Sequence, residues 1–160
     1  MNESLRALFP VTERFVYLNH AAISPPPAHT IEAVTSQIRD VAENGSLHYR
    51  GWVAVRERAR KLAAEMLGAR PEQVAFMRNT SDGVSTIANG LRWKPGDNIV
   101  TFRRDFPSNI YPWLRLRDTH KVEVRFSEEL DGRVDLDELT GLIDERTRIV
   151  AISHVQYASG

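Results

Sequence analysis

The sequence of 160 residues contains no cysteine, which excludes disulfides, thiolate metal sites and a cysteine nucleophile. It also lacks any run of about 18 apolar residues that could cross a bilayer. The amino-terminal segment has no apolar core of the kind found in signal peptides. These absences favour a soluble, cytoplasmic protein that does not act at a membrane.

An excess of charge of one sign is also missing, because 21 basic residues balance 21 acidic ones. A neutral balance gives no electrostatic reason to expect nucleic acid as a partner. The five histidines are scattered and form no metal-binding spacing, so no metal site is predicted. Neither the dinucleotide-binding nor the P-loop glycine motif is present, which argues against a nucleotide ligand. Chemistry on a small molecule is the class that remains favoured.

Apolar periodicity predicts an α/β fold of three layers, in which a largely parallel sheet lies between flanking helices. Strands are predicted at 74–77, 99–102, 122–126 and 149–155. Helical patterns separate these strands, and two further helices are predicted around 31–41 and 55–66. Asp135 followed by Glu138 indicates a capping box at the start of the last helix. The chain is accordingly divided into an amino-terminal arm with helices, 1–70, and the first part of an α/β domain, 71–160.

Ligands in open α/β sheets bind beyond the carboxyl ends of the strands, so the turns after the strands are the candidate site. The first turn brings Thr80 and Ser81 to the start of a helix. Hydroxyl residues there cap many helices that bind nothing, but free N–H groups and the helix dipole also form phosphate sites. The turn therefore predicts either a simple cap or a phosphate site.

Two further turns carry groups that could contact a planar ligand. Phe106 stands directly before Pro107, which limits its backbone freedom and could present a flat face, although a core or lid role is the alternative. Gln156 and Tyr157 follow the last strand and offer an amide and a phenol. These groups could bind a ligand or satisfy backbone groups of their own loop.

In their order along the chain, four segments together resemble the class V aminotransferases of the fold-type-I pyridoxal-phosphate superfamily. These segments are 17–22, 78–85, 106–113 and 153–155. The resemblance implies an incomplete half of the large domain of that fold plus an amino-terminal helical segment, with pyridoxal 5′-phosphate as the cofactor. It further implies that Thr80 and the amide of Ser81 hold the cofactor phosphate, that Asn79 and Asp82 shape the loop, and that Phe106 lies against the pyridine ring.

The resemblance also implies further contacts and a branch of the family. Gln156 or Tyr157 would contact the cofactor ring. Cysteine desulfurases usually carry histidine where this chain has Phe106, so the chain looks more like the kynureninase-like and isopenicillin-N-epimerase-like branches.

The amino-terminal part is expected to contribute to the substrate side of the site. Asn19, His20 and Ala21 would line the mouth through which an amino-acid substrate enters. Residues 48–51 would reach a site at the interface of a homodimer.

The resemblance implies a lysine that bonds the cofactor and an acid paired with the pyridine nitrogen, both further along the chain. Lys61, Lys94 and Lys121 are the only lysines, and none follows a predicted strand. We therefore expect an amino-terminal fragment with no catalytic residue of its own, whose complete parent performs transamination, epimerisation or lyase chemistry. A non-catalytic dimerisation or interaction module and a doubly wound binder of a phosphate ligand remain the alternatives.

Overall fold

The computed structural model describes residues 3–20, 23–130 and 133–159. The chain divides into two compact units, 1–75 and 76–160. The domain division after residue 70 stays a prediction. None of the helices in the described ranges is long and apolar enough to span a membrane.

The first unit is helical. Its elements are α1 (Glu3–Arg6), a 3₁₀ turn (Pro10–Glu13), α2 (Ala28–Asn44), α3 (Tyr49–Leu67) and a second 3₁₀ turn (Pro71–Gln73). Helix α2 begins directly after the three prolines, because the extended backbone of Pro27 precedes its first turn. Helix α3 ends at Gly68, whose left-handed conformation (φ 62°) is one that glycine adopts without steric cost.

A polar cluster holds the turn between α2 and α3. The Asp40 carboxylate lies 2.7 Å from His48 Nδ1 and accepts hydrogen bonds from Trp52 Nε1 and Asn44 Nδ2, both at 2.9 Å. The hydrogen bond with His48, followed by those from Asn44 and Trp52, holds the pKa of Asp40 below its usual value. The cluster therefore fixes the turn that joins the two helices.

The apolar stripe of α2 is exposed in the described structure. Its four members, each between 46% and 64% exposed, are Ile31, Val34, Ile38 and Val41. Helix α2 contains no buried residue.

The second unit contains a parallel sheet and its helices. The helices are α4 (Thr80–Gly90), α5 (Tyr111–His120) and α6 (Leu136–Gly141), and a 3₁₀ turn spans Pro107–Asn109. The strands are β1 (Asn98–Phe102), β2 (Glu123–Ser127), β3 (Glu129–Leu130), β4 (Arg133–Val134) and β5 (Thr147–Ala151). The main sheet has the order β2-β1-β5, and both pairings are parallel. The predicted open α/β arrangement is confirmed.

The core of this unit lies around β1. All five residues of β1 are buried, so both faces of this central strand are covered. Trp113 and Leu116 of α5 pack with Ala88 of α4 against Ile99 of β1. Strand β1 is thereby fixed relative to the starts of α4 and α5, which border the candidate site.

The start of α6 differs in part from the predicted capping box. The Asp135 carboxylate caps the helix by accepting from the amides of Asp137 (2.9 Å) and Glu138 (3.1 Å). The Glu138 side chain does not complete the box. Its carboxylate instead accepts hydrogen bonds from Ser127 Oγ (2.8 Å) and from the amide of Glu128 (3.0 Å). A tertiary contact with the end of β2 thus replaces the local one.

The strand predicted at 74–77 is wrong as an assignment, because no neighbouring strand pairs with this segment among the described residues. Val74 has extended backbone angles, but a strand requires a hydrogen-bonded ladder as well as an extended conformation.

The small antiparallel hairpin of β3 and β4 was not predicted. The sequence has an Asp-Gly pair, a known hairpin signal, at 131–132 between these strands, and these two residues lie outside the described ranges.

Asp144, which precedes β5, gives a test of this unit at low pH. Its carboxylate accepts from Arg125 Nη1 (2.8 Å), the Arg146 amide (2.9 Å) and Asn98 Nδ2 (2.8 Å). These bonds, chiefly that of Arg125, lower the pKa of Asp144 to about 2. A depressed pKa in the folded state means that the stabilisation is fully present above about pH 4 and is lost as the pH falls towards 2.

We therefore expect Asp144→Asn to lower the melting temperature at pH 6, and the difference from wild type to shrink between pH 4 and pH 2. Thermal melts over this range measure it. Glu145→Gln is the matched control, because Glu145 makes none of these hydrogen bonds and should cause a small shift without this pH dependence. A constant difference for Asp144→Asn at every pH would contradict the assignment.

Candidate functional site

The amino-terminal end of α4 presents two free backbone donors. The first turn of a helix has no intrahelical acceptors for its N–H groups. Asn79 Oδ1 accepts the amide of Asp82 at 2.9 Å, and the Asn79 carbonyl accepts that of Gly83 at 3.1 Å. The amides of Thr80 and Ser81 have no acceptor in the part of the chain that the structure describes. Because both residues are exposed and lie at the positive end of the helix dipole, they form a suitable anion site.

An ion pair neutralises the negative charge of the acidic side chain in this turn. Arg78 Nη2 lies 2.9 Å from Asp82 Oδ1, and Arg78 Nε lies 3.3 Å from Oδ2. The hydrogen bond from Arg78 lowers the pKa of Asp82, which therefore stays ionised and paired. A paired carboxylate repels an incoming anion less than a free one would. The predicted shaping roles of Asn79 and Asp82 thus have a local structural basis, while phosphate binding itself stays a prediction.

The loop after β1 presents the ring of Phe106. This side chain is 49% exposed, and its ring meets that of Tyr157 edge to face, with the centroids 5.3 Å apart and the planes at 86°. An edge contact holds an aromatic ring without covering its whole surface. The structure thus brings together two of the residues selected from the sequence, at the carboxyl ends of the neighbouring strands β1 and β5.

The loop after β5 contains a buried amide with one unsatisfied atom. Gln156 is 9% exposed, and its Nε2 donates to the Ser153 carbonyl at 3.2 Å. Its Oε1 is buried and has no hydrogen-bond partner. Leaving a buried acceptor unpaired costs about 1–3 kcal/mol, so Oε1 is available to a donor from a water molecule or a ligand.

Sequence reasoning assigned no role to Asp105, yet this residue connects the two loops. Asp105 is 3% exposed, and its carboxylate accepts four hydrogen bonds from groups of both loops. The donors are the amides of Phe106 and Ser153, the Asn109 side chain and the Ser153 hydroxyl. The signal available in the sequence was an aspartate at a strand end, a position where its carboxylate often binds nearby backbone amides.

The helix α4 and the turn that follows Phe106 are in contact within the second unit. The start of α4, which suits a phosphate, and the ring of Phe106 therefore lie in the same compact unit.

The residues predicted for the substrate mouth belong to the first unit. His20 packs edge to face on Tyr17 at 5.2 Å, and its Nδ1 lies 3.5 Å from Ser24 Oγ. The Asn19 carbonyl accepts from the Tyr17 hydroxyl at 3.2 Å. Ala21 lies outside the described residues. The substrate roles of Asn19, His20 and Ala21, and the interface role of residues 48–51, stay predictions.

Metal ligation has no geometric basis in the described ranges, where no three His, Cys, Asp or Glu side chains are grouped closely enough to hold an ion. The two lysines of the second unit are placed away from the candidate site. Lys94 and Lys121 precede β1 and β2 and thus lie at the amino-terminal edge of the sheet, opposite Phe106. Lys61 is an exposed residue of α3 in the first unit.

Comparisons with known proteins show to which family and fold this chain is similar. The family model for class V aminotransferases matches residues 16–160. A protein of Methanothermobacter thermautotrophicus named as a probable cysteine desulfurase is 32% identical over 99% of this chain and 40% of its own length. The apo structure of a cysteine desulfurase from Thermococcus onnurineus NA1 is 28% identical with a TM-score of 0.80, covering 100% of this chain and 42% of that one.

A structure of the enzyme C-DES, with glycine covalently linked to its PLP cofactor, has the same fold at 22% identity. Its TM-score is 0.85, and the match covers 94% of this chain and 41% of that one. The chain thus spans about two fifths of the length of the relatives that it matches. Two of these relatives are named as cysteine desulfurases, so the kynureninase-like and isopenicillin-N-epimerase-like branch expected from Phe106 stays a prediction. Because the family model covers the sheet, the α4 terminus and both loops, the chain belongs to the class V aminotransferase family.

Proposed function

We propose that this chain forms the phosphate- and ring-binding part of the pyridoxal-phosphate site of an amino-acid-processing enzyme. The observation that carries the proposal is the pair of free amides of Thr80 and Ser81 on a helix that packs against the turn following Phe106. A phosphate bound by these amides would place an attached aromatic ring within the same packed unit as Phe106.

The described residues fit this cofactor in three respects. The amides at the start of α4 suit a phosphate, the half-exposed Phe106 ring suits a flat pyridine, and Gln156 Oε1 is an acceptor without a donor. Tyr157 supports the Phe106 ring from its edge. When bound, the cofactor supplies a pyridine ring that withdraws electrons from the carbon of an amino-acid substrate.

For the complete protein we propose pyridoxal-phosphate chemistry on an amino acid without choosing one reaction. Transamination, epimerisation and lyase chemistry all use this cofactor on an amino acid. We propose that the 160 residues alone bind without catalysing, since the two lysines of the second unit precede their strands. A five-residue strand is about 16 Å long, so these lysines lie far from the edge where Phe106 lies. The homodimer stays part of the proposal.

Pyridoxamine phosphate is the probe that tests binding, because its amine cannot form a covalent bond with a lysine. We expect it to shift the amide resonances of Thr80 and Ser81 and the ring resonances of Phe106. Inorganic phosphate should shift only the two amides and bind more weakly. Phe106→Ala should weaken binding of pyridoxamine phosphate about two- to twelvefold, the equivalent of about 0.5–1.5 kcal/mol of stacking.

The same titration is repeated on a control variant, and two possible results would contradict the proposed function. Ile143→Ala removes an exposed apolar side chain before β5, at the amino-terminal edge of the sheet, and should leave the dissociation constant unchanged. Equal affinity for inorganic phosphate and pyridoxamine phosphate would favour a general phosphate binder. A stoichiometric covalent adduct with pyridoxal phosphate would show that one of the three lysines can act after all.

A further inference from the structure

We propose that Asp105 is a positioning residue that sets the two ring contacts of the site, Phe106 and Gln156, as one unit. This inference rests on the proposed function, because it concerns the same site. Asp105 itself is buried and would touch no ligand.

Asp105 is connected to Phe106 through the loop that follows β1. Asp105 Oδ1 accepts the amide of Phe106 at 2.6 Å, which fixes the backbone from which the ring projects. Oδ2 accepts Asn109 Nδ2 at 2.9 Å and thereby closes the 3₁₀ turn that follows. The ring is then held at the angle at which it meets the edge of Tyr157.

Asp105 is also connected to Gln156, through Ser153 in the loop that follows β5. Ser153 donates to Asp105 twice, through its amide to Oδ2 at 2.9 Å and through its hydroxyl to Oδ1 at 2.7 Å. The carbonyl of the same Ser153 accepts Gln156 Nε2 at 3.2 Å. This bond orients the amide group whose Oε1 lacks a partner. One carboxylate therefore determines where both groups lie.

A carboxylate is the side chain that these contacts require. Four donors converge on two oxygens, and each oxygen accepts two of them. An asparagine has a single acceptor atom and would direct its N–H₂ group at two of the donors. Asp105→Asn preserves size and burial, but it keeps an acceptor for only one donor of each loop and directs its N–H₂ group at the other two.

The test is Asp105→Asn in the full chain, read first without ligand by the nuclear Overhauser contact between the rings of Phe106 and Tyr157. We expect this contact to be lost in the variant. Ser153→Ala, which removes one of the four donors, should weaken it and shift the Gln156 amide resonances. Ser127→Ala is the matched control. It removes the buried hydrogen bond of Ser127 Oγ to Glu138 at the end of β2 and should leave the ring contact intact.

The second readout is binding, at a temperature where each variant is folded. Asp105→Asn should weaken pyridoxamine phosphate by the same factor as Phe106→Ala, about two- to twelvefold, and leave inorganic phosphate within twofold. A role limited to stability would weaken both ligands equally or neither.

The outcomes separate the two proposals. Retention of the ring contact in Asp105→Asn, or its loss with no change for pyridoxamine phosphate, would overturn the positioning role. If the wild-type chain does not prefer pyridoxamine phosphate to inorganic phosphate, the proposed function fails. The ring contact measured without ligand then decides the role of Asp105 by itself.

Discussion

Ser81→Asp is expected to weaken phosphate binding at the start of α4 at least tenfold while leaving the helix in place. Ser81 is exposed and occupies the second position of the helix. An aspartate there interacts favourably with the helix dipole, so the fold should be unchanged or slightly stabilised. The same carboxylate would stand within a few ångströms of the bound phosphate.

The size of the effect follows from like-charge repulsion. Two unit charges about 4 Å apart near a protein surface repel by about 4 kcal/mol before screening by salt. We therefore expect the affinity for pyridoxamine phosphate to fall at least tenfold, which corresponds to about 1.4 kcal/mol. Inorganic phosphate should be weakened to the same extent, because the change acts on the group that the two ligands share.

Ser81→Asn is the matched control for this variant. It introduces a side chain of the same size as aspartate without the charge and should retain most of the affinity. Titrations at two salt concentrations add a second check, because the difference between the two variants should shrink as the salt is raised. Unchanged affinity in Ser81→Asp would place the phosphate elsewhere.

Trp113→Ala is expected to cause the largest loss of stability in the second unit. Trp113 is 3% exposed and packs with Leu116 and Ala88 against Ile99. Removing a buried tryptophan side chain leaves a cavity and typically costs about 3–5 kcal/mol. A loss of this size is a large part of the stability of a typical domain, about 5–15 kcal/mol.

Tyr111→Ala on the same helix is the matched control, since Tyr111 is 68% exposed. Its effect should stay within about 0.5 kcal/mol. Urea unfolding followed by circular dichroism measures both variants. Comparable losses for the two would mean that α5 is not anchored to the sheet through Trp113.

Local sequence patterns were sufficient to predict several elements of this fold. The segments that became β1, β2 and β5 were recognised from their apolar residues, although only β1 is buried along its whole length. Asp135 was recognised as a cap because its partners are the next few backbone amides. The segment at 74–77 has the same apolar character, but composition does not report whether a neighbouring strand is available to pair.

The candidate site was predictable to a similar degree. Residues of each turn could be selected one at a time, since helix starts and strand ends are visible in the sequence. The exposure of Thr80, the edge contact between Phe106 and Tyr157 and the unpaired Oε1 of Gln156 depend on neighbours distant in sequence. The binding roles of these residues remain proposals.

The α/β class and the turns that carry polar and aromatic groups could be recognised in the amino-acid sequence, because these features depend on periodicity and on bonds between near neighbours. The contacts of Asp105 became visible only in the folded chain, since its bonds to Ser153 span 48 positions. The tertiary structure also decided that Glu138 bonds to Ser127 rather than to its own helix cap. The physical reason is the same in both cases. A carboxylate accepts from whichever donors the packed sheet brings within reach, and those donors come from segments distant in sequence.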